Sequence, residues 1–223
     1  MSSVSLPGSP EAAPRDLGRG ADARIWLWPA LAGPVLAMLA LAYAHVVPGS
    51  GVSPLSDLTS DYALHDATRA AMLVCMLTAA MSCLWIAYGL TRTDPAGTAA
   101  ARVVLTLTAL ALTLTAIFPT DAAPGVTSLD AQVHRWAAAV VLTGPVCAGW
   151  ALSRRRTMPL RGLVRGTGVT AALLVLAFLG AHPGSPFSVL LHGPAYYGLL
   201  ERLLLVSETA LVFFIALSAR PGQ

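Results

Sequence analysis

Six long runs of apolar residues dominate this chain and constrain its fold more than any other feature. They lie at about 26–46, 67–90, 99–118, 133–152, 164–181 and 199–217. A helix needs about 20 apolar residues to cross the ~30 Å hydrocarbon core of a bilayer. Only 11% of the 223 residues are charged, whereas a soluble domain carries about 25%. We therefore predict an all-α integral membrane bundle of six transmembrane helices.

The two ends of the chain differ from this central region. Residues 1–24 are rich in Ser, Pro, Gly and Arg, which predicts a disordered cytoplasmic tail. The apolar run that follows is too long for the apolar core of a signal peptide, so we expect the first span to be retained. The predicted transmembrane domain covers residues 25–218, and residues 219–223 form a second short cytoplasmic tail.

The arginines predict the orientation of the bundle. Eleven of the 14 basic residues, all of them arginine, lie before span one, between spans two and three, between spans four and five, or after span six. The positive-inside rule places these segments, and therefore both termini, in the cytoplasm. The other three arginines, Arg69, Arg135 and Arg202, lie at the outer ends of spans two, four and six. The absence of lysine is typical of a high-GC bacterium, which predicts a bacterial plasma membrane.

Charge and cysteine content exclude several classes of partner and cofactor. The net charge of +3 comes from arginines scattered over loops, without any nucleic-acid-binding motif, so no nucleic-acid partner is expected. The three cysteines lie within predicted spans and lack metal-binding spacing. A membrane haem requires facing histidines within spans, whereas the five histidines lie near outer ends. We predict no cofactor and no resident metal.

Polar residues concentrate in the outer loops. Ser53-Pro54 is a favourable helix start, and a helix from that point would place four polar residues on one face at a spacing of four: Asp57, Asp61, His65 and Arg69. In the second outer loop Asp121 precedes Asp130 and His134, which are again four apart. Chemistry is therefore expected on the outward side of the membrane.

Glu208 is the residue that most strongly suggests a function. It lies near the middle of the sixth apolar run, where a carboxylate costs roughly 3 kcal/mol on insertion scales. Glu201 precedes it by two helical turns, so the two acids point the same way about 10 Å apart. An acid at this depth requires either a chemical role or a partner.

Three short motifs resemble an uncharacterised membrane family of archaea and bacteria, the domain of unknown function 998. They are Ser-Pro-Leu-Ser-Asp-Leu at 53–58, Phe-Pro-Thr-Asp at 118–121 followed by His134, and Gly-Leu-Leu-Glu-Arg at 198–202. The resemblance covers roughly residues 28–217 and implies six helices. It points to Asp57, Asp121, His134, Glu201 and Arg202 but implies no activity. Glu208 and the Asp61/His65 pair lie outside the motifs.

The leading functional hypothesis is a membrane enzyme that acts on an isoprenoid or lipid, with acid-initiated terpene cyclisation as one form. A carboxylic acid that burial keeps neutral can donate a proton to such a substrate. The candidate catalytic residues are Glu208, Glu201, Asp57, Asp61, His134 and Asp121. The candidate substrate-binding residues are Arg202 and five aromatic residues that could stabilise a cation: Trp85, Trp136, Tyr196, Tyr197 and Phe213.

Three alternatives remain open on the sequence alone. The polar residues could form structural pairs at the membrane boundary, such as Arg202 with Glu201 and Arg69 with Asp66. The outer Asp and His residues have a ligand chemistry that suits a transition metal. The chain could also be a small proton-coupled transporter or a non-catalytic membrane component. Small residues at Gly33-x3-Ala37 and Gly144-x3-Ala148 permit close helix contact and a homodimer.

Overall fold

A computed structural model describes residues 17–49, 51–122, 127–190 and 192–220, with side chains from residue 25 onward. Within these ranges the chain forms six long helices and one short 3-10 helix, and no strand. The helices are α1 (Leu17–Val46), α2 (Asp66–Thr93), α3 (Ala99–Ile117), α4 (Leu129–Ser153), α5 (Arg161–Ala181) and α6 (Gly193–Ser218), and the 3-10 helix is Thr59–Leu64. The all-α class is confirmed. α1 begins at Leu17 and so extends into the segment predicted as a tail, while residues 1–16 and 221–223 lie outside the described ranges.

Five of the long helices, α1 to α5, are long and apolar enough to cross a membrane. Helix α6 is also long enough, but every 18-residue stretch of it contains Glu201, Arg202 and Glu208. All three side chains are buried inside the bundle. Helix α6 packs against α5, α1, α4 and α2, and this central position shields its ionisable residues from the surroundings of the bundle.

The helix predicted to begin at Ser53-Pro54 does not form. Residues 53–57 make a single turn, the 3-10 helix follows, and α2 begins only at Asp66. Ser53 N–H donates to Asp57 Oδ2 at 2.8 Å, and Leu58 N–H donates to Asp61 Oδ2 at 3.1 Å. Side chains that bind nearby backbone groups in this way compete with helix formation. The spacing of four was therefore misread as a helical face.

Small residues allow neighbouring helices to approach closely. A Cβ at Gly33 of α1 would lie 2.6 Å from Ser82 Cβ of α2, and a Cβ at Gly144 of α4 would clash with Thr108 of α3. Both small-residue faces are therefore used between helices of one chain, and a homodimer would need another surface. Pro34 cannot donate to the Ala30 carbonyl, and Ser82 Oγ donates to that oxygen at 2.6 Å instead.

The two halves of the bundle are packed differently. One end carries the loops with residues 51–65, 118–122 and 182–190, and we call it the 3-10 end. The opposite end carries the arginine-rich 154–161 loop, and we call it the arginine end. The largest apolar core lies toward the arginine end, where large side chains such as Trp26, Ile86, Leu105, Leu211 and Ile215 are fully buried. The half toward the 3-10 end contains an apolar cavity, and a second pocket of about 330 Å³, lined in part by Asp94 and Arg155, lies at the arginine end.

Candidate functional site

An apolar cavity of about 140 Å³ lies between α1, α2, α3, α4 and α6, below the 3-10 helix. Half of its lining residues are Met, Leu, Ala or Val, and Cys75, Cys83, Pro34 and Pro145 add to the apolar wall. On α6 the wall extends from Glu201 to Val212, which is about 16 Å along the helix axis at 1.5 Å per residue. The polar residues in the wall are few: Thr59, Ser60, Thr108, Thr115, His134, Glu201, Glu208 and Thr209.

Glu208 is the deepest ionisable residue in this cavity. Its side chain is 4% exposed, and no described residue forms a hydrogen bond with its Oε1. A buried polar atom without a partner costs about 1–3 kcal/mol. The folded chain therefore buries Glu208 without supplying a hydrogen-bond partner for its Oε1. A molecule bound in the cavity could supply that partner.

His134 joins Glu208 in the cavity wall with one ring nitrogen already engaged. Its Nδ1 lies 2.8 Å from the carbonyl oxygen of Phe118. Since a carbonyl oxygen can only accept, Nδ1 carries the proton, and in the neutral ring the lone pair of Nε2 is left for another group. The contact also ties α4 to the end of α3, so His134 has a structural role beside any chemical one.

Glu201 lines the same cavity at its 3-10 end. Its Oε2 accepts a hydrogen bond of 2.6 Å from Thr59 N–H, across 142 positions of sequence. This bond connects α6 to the first residue of the 3-10 helix. The structure thus brings three of the six predicted catalytic residues, Glu201, Glu208 and His134, to one cavity.

Arg202 does not pair with Glu201 but locks α6 to two other segments. Its Nε donates to His45 Nε2 at 2.7 Å, and its Nη1 donates to the carbonyl oxygens of Asp57 at 2.7 Å and Gly198 at 2.9 Å. Its guanidinium carbon also lies 5.7 Å from the ring centre of Tyr62. Arg202 is outside the cavity wall, so its geometry is that of a structural anchor.

His45, which accepts the hydrogen bond from Arg202, is oriented by a contact within its own helix α1. His45 Nδ1 lies 2.8 Å from the Leu41 carbonyl oxygen, so this nitrogen carries the proton and Nε2 is free to accept. The ring also lies 5.0 Å from that of Tyr62. The contacts of Arg202, His45 and Tyr62 hold the 3-10 helix over the cavity, and we call these three residues the arginine lock.

Asp57 and Asp61 order the 3-10 end and do not line the cavity. Asp57 accepts from Ser53 N–H and from Ser56 Oγ, each at 2.8 Å. Burial raises the pKa of Asp61, and the hydrogen bond from Leu58 N–H opposes that shift. Both carboxyl groups therefore act on the local backbone of the first loop.

The tight contact between α6 and the first loop leads to a prediction at Gly198. A Cβ there would lie 2.7 Å from Arg202 Nη1 and 2.9 Å from Asp57 N. We expect Gly198→Ala to lower the free energy of unfolding by about 1–3 kcal/mol through overpacking. The control is Gly166→Ala in α5, where a Cβ meets no atom within 4 Å and the helix gains up to about 1 kcal/mol. Thermal unfolding in one detergent tests both, and equal shifts would contradict the prediction.

Asp121 binds Ser128, the N-cap residue of α4, and so holds the start of that helix instead of facing the cavity. It accepts hydrogen bonds from the backbone N–H and the hydroxyl groups of both Thr127 and Ser128, at 2.7–3.2 Å. These bonds, the one from Ser128 N–H first, lower the pKa of Asp121 to about 2. The Phe118-Pro119-Thr120-Asp121 motif thus anchors α4 twice, through the Phe118 carbonyl to His134 and through Asp121 to Ser128.

This lowered pKa predicts how stability depends on pH. A carboxyl whose folded pKa lies below its unfolded value stabilises the fold above the unfolded pKa, and that contribution is lost as pH falls. We expect Asp121→Asn to lower the melting temperature at pH 7, and the difference from wild type to shrink between pH 3.8 and about 2. Asp130→Asn, at an exposed neighbouring acid, serves as control. A constant difference down to pH 2 would refute this assignment.

None of the five predicted aromatic residues lines the cavity. Trp136 is 73% exposed and Tyr196 48% exposed on the outer surface of the bundle. Tyr197 stacks on Phe178 with ring centres 4.4 Å apart. Trp85 packs near Tyr88, and Phe213 packs against Phe214. Aromatic rings are therefore available for packing and for the bundle surface, but not around Glu208.

The described part of the chain contains no group of three His, Cys, Asp or Glu side chains close enough to hold a metal ion. The metal alternative combined Asp57, Asp61 and His65 on one predicted helical face with Asp130 and His134, which are four apart in α4. The predicted helix at 54–69 does not form, and Asp57 and Asp61 bind backbone groups of the first loop instead.

Sequence reasoning missed the partners that complete the site. His45 and Arg202 are 157 positions apart, and Thr59 and Glu201 are 142 positions apart. His45, at the end of the first apolar run, weakly indicates a polar contact at that end of the bundle. Nothing in the sequence indicates that its partner is Arg202. Thr108 and Thr115 resemble ordinary helix residues in the sequence, and only the fold turns them toward the cavity.

The family model described as a protein of unknown function (DUF998) matches residues 31–218. This range starts within α1 and ends with the last residue of α6, so it contains the cavity, the arginine lock and the Asp121 cap. No curated protein and no solved structure matches the chain. The match covers well over half of the chain and includes all three motifs on which the resemblance rested. This membrane-spanning helical protein belongs to the DUF998 family.

Proposed function

We propose that this protein is an integral membrane enzyme that carries out acid–base chemistry on an apolar, membrane-resident molecule. One observation carries the proposal: Glu208 is buried in an apolar cavity with its Oε1 unpartnered, and His134 lies in the same wall. A neutral carboxyl can donate a proton, and a neutral imidazole with Nδ1 engaged can accept one at Nε2. Proton donors and acceptors in a water-poor cavity are the elements of general acid–base catalysis.

The reaction class follows from these two groups alone. Glu208 delivers a proton to one atom of the substrate, and His134 or Glu201 removes a proton from another. The substrate then gains and loses one proton, as in an isomerisation, or loses water as well, as in a dehydration. Neither reaction needs an oxidant, a reductant or a group donor, because proton transfer is all that either one needs from the protein.

The size and walls of the cavity favour a small reacting group. Its volume of about 140 Å³ is close to the ~150 Å³ of an engineered cavity that holds benzene. A whole long-chain isoprenoid needs more space, so the cavity suits a small molecule or one end of a larger lipid. Acid-initiated terpene cyclisation is less favoured, because the predicted cation-stabilising rings lie elsewhere.

A proton-coupled transporter remains the second candidate because Glu201 and Glu208 line one cavity along the same helix. Transport requires the site to open to both sides of the membrane in turn. The half toward the arginine end holds the apolar core around Trp26 and Leu105, and it also contains a second pocket of about 330 Å³, which Ile215 lines. A path from one cavity to the other would require buried side chains of this core to repack, which favours an enzyme or binding role over transport. A homodimer stays a prediction.

We also propose that α6 crosses the membrane, which gives six spans with both termini in the cytoplasm of a bacterial cell. The burial of Glu201, Arg202 and Glu208 supports this because a central helix need not expose them to lipid. A fluorescent protein that matures only in the cytoplasm, fused after Gln223, is expected to fluoresce. A periplasmic phosphatase at the same site is expected to be inactive. The reverse pattern would indicate five spans.

Organic extracts test the proposed enzyme most directly. The wild-type chain and an empty vector are expressed in one host with raised isoprenoid supply, and the extracts are compared by mass spectrometry. A compound that appears or disappears only with the wild-type chain is the expected result. Extracts that stay identical in hosts with different lipid compositions, with the protein present in the membrane, would count against catalysis and favour transport.

A further inference from the structure

We propose that the molecule bound in this cavity is a small apolar alcohol, recognised through a single hydroxyl group. The inference rests on the proposed function, since it names the substrate class of the same cavity. It is carried by the hydrogen-bonding capacity of the wall. Several polar groups of the wall offer only acceptors to a ligand, and Glu208 is the residue of the wall with a buried oxygen that has no hydrogen-bond partner among the described residues.

Three of the four threonine hydroxyls of the wall have already used their protons within their own helices, and the hydroxyl of the fourth, Thr59, forms a hydrogen bond with Glu201. Thr108 Oγ1 donates to the Val104 carbonyl at 2.9 Å, Thr115 Oγ1 to Leu112 at 2.9 Å and Thr209 Oγ1 to Leu205 at 2.7 Å. Each hydroxyl oxygen therefore has only lone pairs left for a ligand. Two helices, α3 with two hydroxyl groups and α6 with one, thus present acceptors to the cavity.

A proline and a histidine add two further acceptors. Pro145 has no N–H and cannot donate to the Val141 carbonyl four residues earlier, and both residues line the cavity. His134 has its Nδ1 engaged with the Phe118 carbonyl, which leaves Nε2 as an acceptor in the neutral ring. The other lining donors are two thiols, which are weak, and Ser60 at the 3-10 end.

A hydroxyl group complements this wall better than other polar groups do. A neutral Glu208 offers a proton, which a hydroxyl oxygen accepts, while the hydroxyl proton is donated to one of the acceptors. An ether oxygen can accept but cannot donate, a hydrocarbon can do neither, and an ammonium group can donate but cannot accept. Of these four groups, the alcohol is the one that satisfies Glu208 and an acceptor together.

A competition experiment with matched ligands tests this directly. The purified full-length protein is photolabelled with an alkyl alcohol that carries a diazirine, and labelled peptides are mapped by mass spectrometry. The competitors are hexanol, its isomer methoxypentane, heptane and hexylamine, with concentrations corrected for partition into the micelle. We expect labelling at the cavity and half-competition by hexanol at about tenfold lower concentration than by the others. Equal competition, strongest competition by hexylamine, or labelling only outside the cavity would overturn the inference.

Two substitutions at Glu208 separate binding from chemistry. Glu208→Gln keeps a hydrogen-bonding amide, so the preference for hexanol over heptane is expected to persist while product formation is lost. Glu208→Leu is expected to abolish the preference as well, and a retained preference would overturn the inference. Thr113→Val is the control, because its hydroxyl makes the same kind of intrahelical bond, to Ala109, outside the cavity wall.

The two proposals fail in distinguishable ways. If hexanol is preferred but no compound depends on the protein in organic extracts, the alcohol site stands and the enzyme fails. If a compound depends on Glu208 but hexanol has no advantage over methoxypentane, the enzyme stands and the alcohol inference fails.

Discussion

Replacing Glu208 with glutamine is expected to lower the yield of any compound that depends on this protein by about 10²–10⁴-fold, the usual contribution of a general acid. Glutamine has nearly the size and shape of glutamic acid but cannot donate an acid proton. Because Glu208 Oε1 has no partner within the described chain, the substitution breaks no observed hydrogen bond. Folding and membrane insertion should therefore remain close to those of the wild type.

The measurement compares product yield by mass spectrometry at matched protein levels in the membrane. Asp66→Asn is the matched control, because the Asp66 side chain is 99% exposed and its ion pair with Arg69 is a long contact of 3.9 Å. We expect this control to keep wild-type yield. Full activity of Glu208→Gln at wild-type abundance would show that Glu208 is not the acid, whatever its burial.

Replacing Arg202 with lysine is expected to destabilise the folded protein by about 2–5 kcal/mol, the range for breaking a buried charged hydrogen-bond network. One guanidinium serves His45, the Asp57 carbonyl and the Gly198 carbonyl in different directions. A lysine ammonium is a compact charge and cannot reproduce this planar geometry. The buried acceptors would lose their donor, and the hydrogen bond from Thr59 N–H to Glu201 would be left to attach the 3-10 helix to α6.

The same substitution at another outer arginine provides the control. Arg69→Lys changes a side chain that is 66% exposed, where ion pairs contribute at most about 1 kcal/mol. Melting temperatures of both variants in one detergent, with proteolysis of the first loop as a second readout, test the difference. Similar stability of the two variants would mean that the arginine lock does not hold the 3-10 end.

The long helices were predictable because the bilayer imposes a simple rule on sequence. Apolar runs of about 20 residues form helices there, since every backbone polar group must be satisfied within the segment. The predicted spans at 99–118 and 164–181 end within three residues of α3 and α5. The deep position of Glu208 followed from the same runs, and its burial confirms that it lies inside the bundle.

The first outer loop shows where such prediction fails. A spacing of four among Asp57, Asp61 and His65 is compatible with a helix, but short polar side chains also bind nearby backbone groups. Local hydrogen bonds and the attachment to α6 favour a turn and a 3-10 helix instead. The prediction that the aromatic residues bind substrate is limited for a related reason. The identity of a residue does not reveal whether its side of the helix faces the cavity or the outer surface of the bundle.

Sequence alone therefore determined the helical membrane class, the positions of the apolar helices, the family, and the presence of an acid deep in α6. These properties depend on local hydropathy and on short motifs, which are readable residue by residue. Only the tertiary structure decided that Glu208, Glu201 and His134 share one cavity, while Asp57, Asp61 and Asp121 order loops. That division depends on contacts between residues as far as 157 positions apart in the sequence. Such contacts are determined by how the helices pack, and no local sequence pattern reveals them.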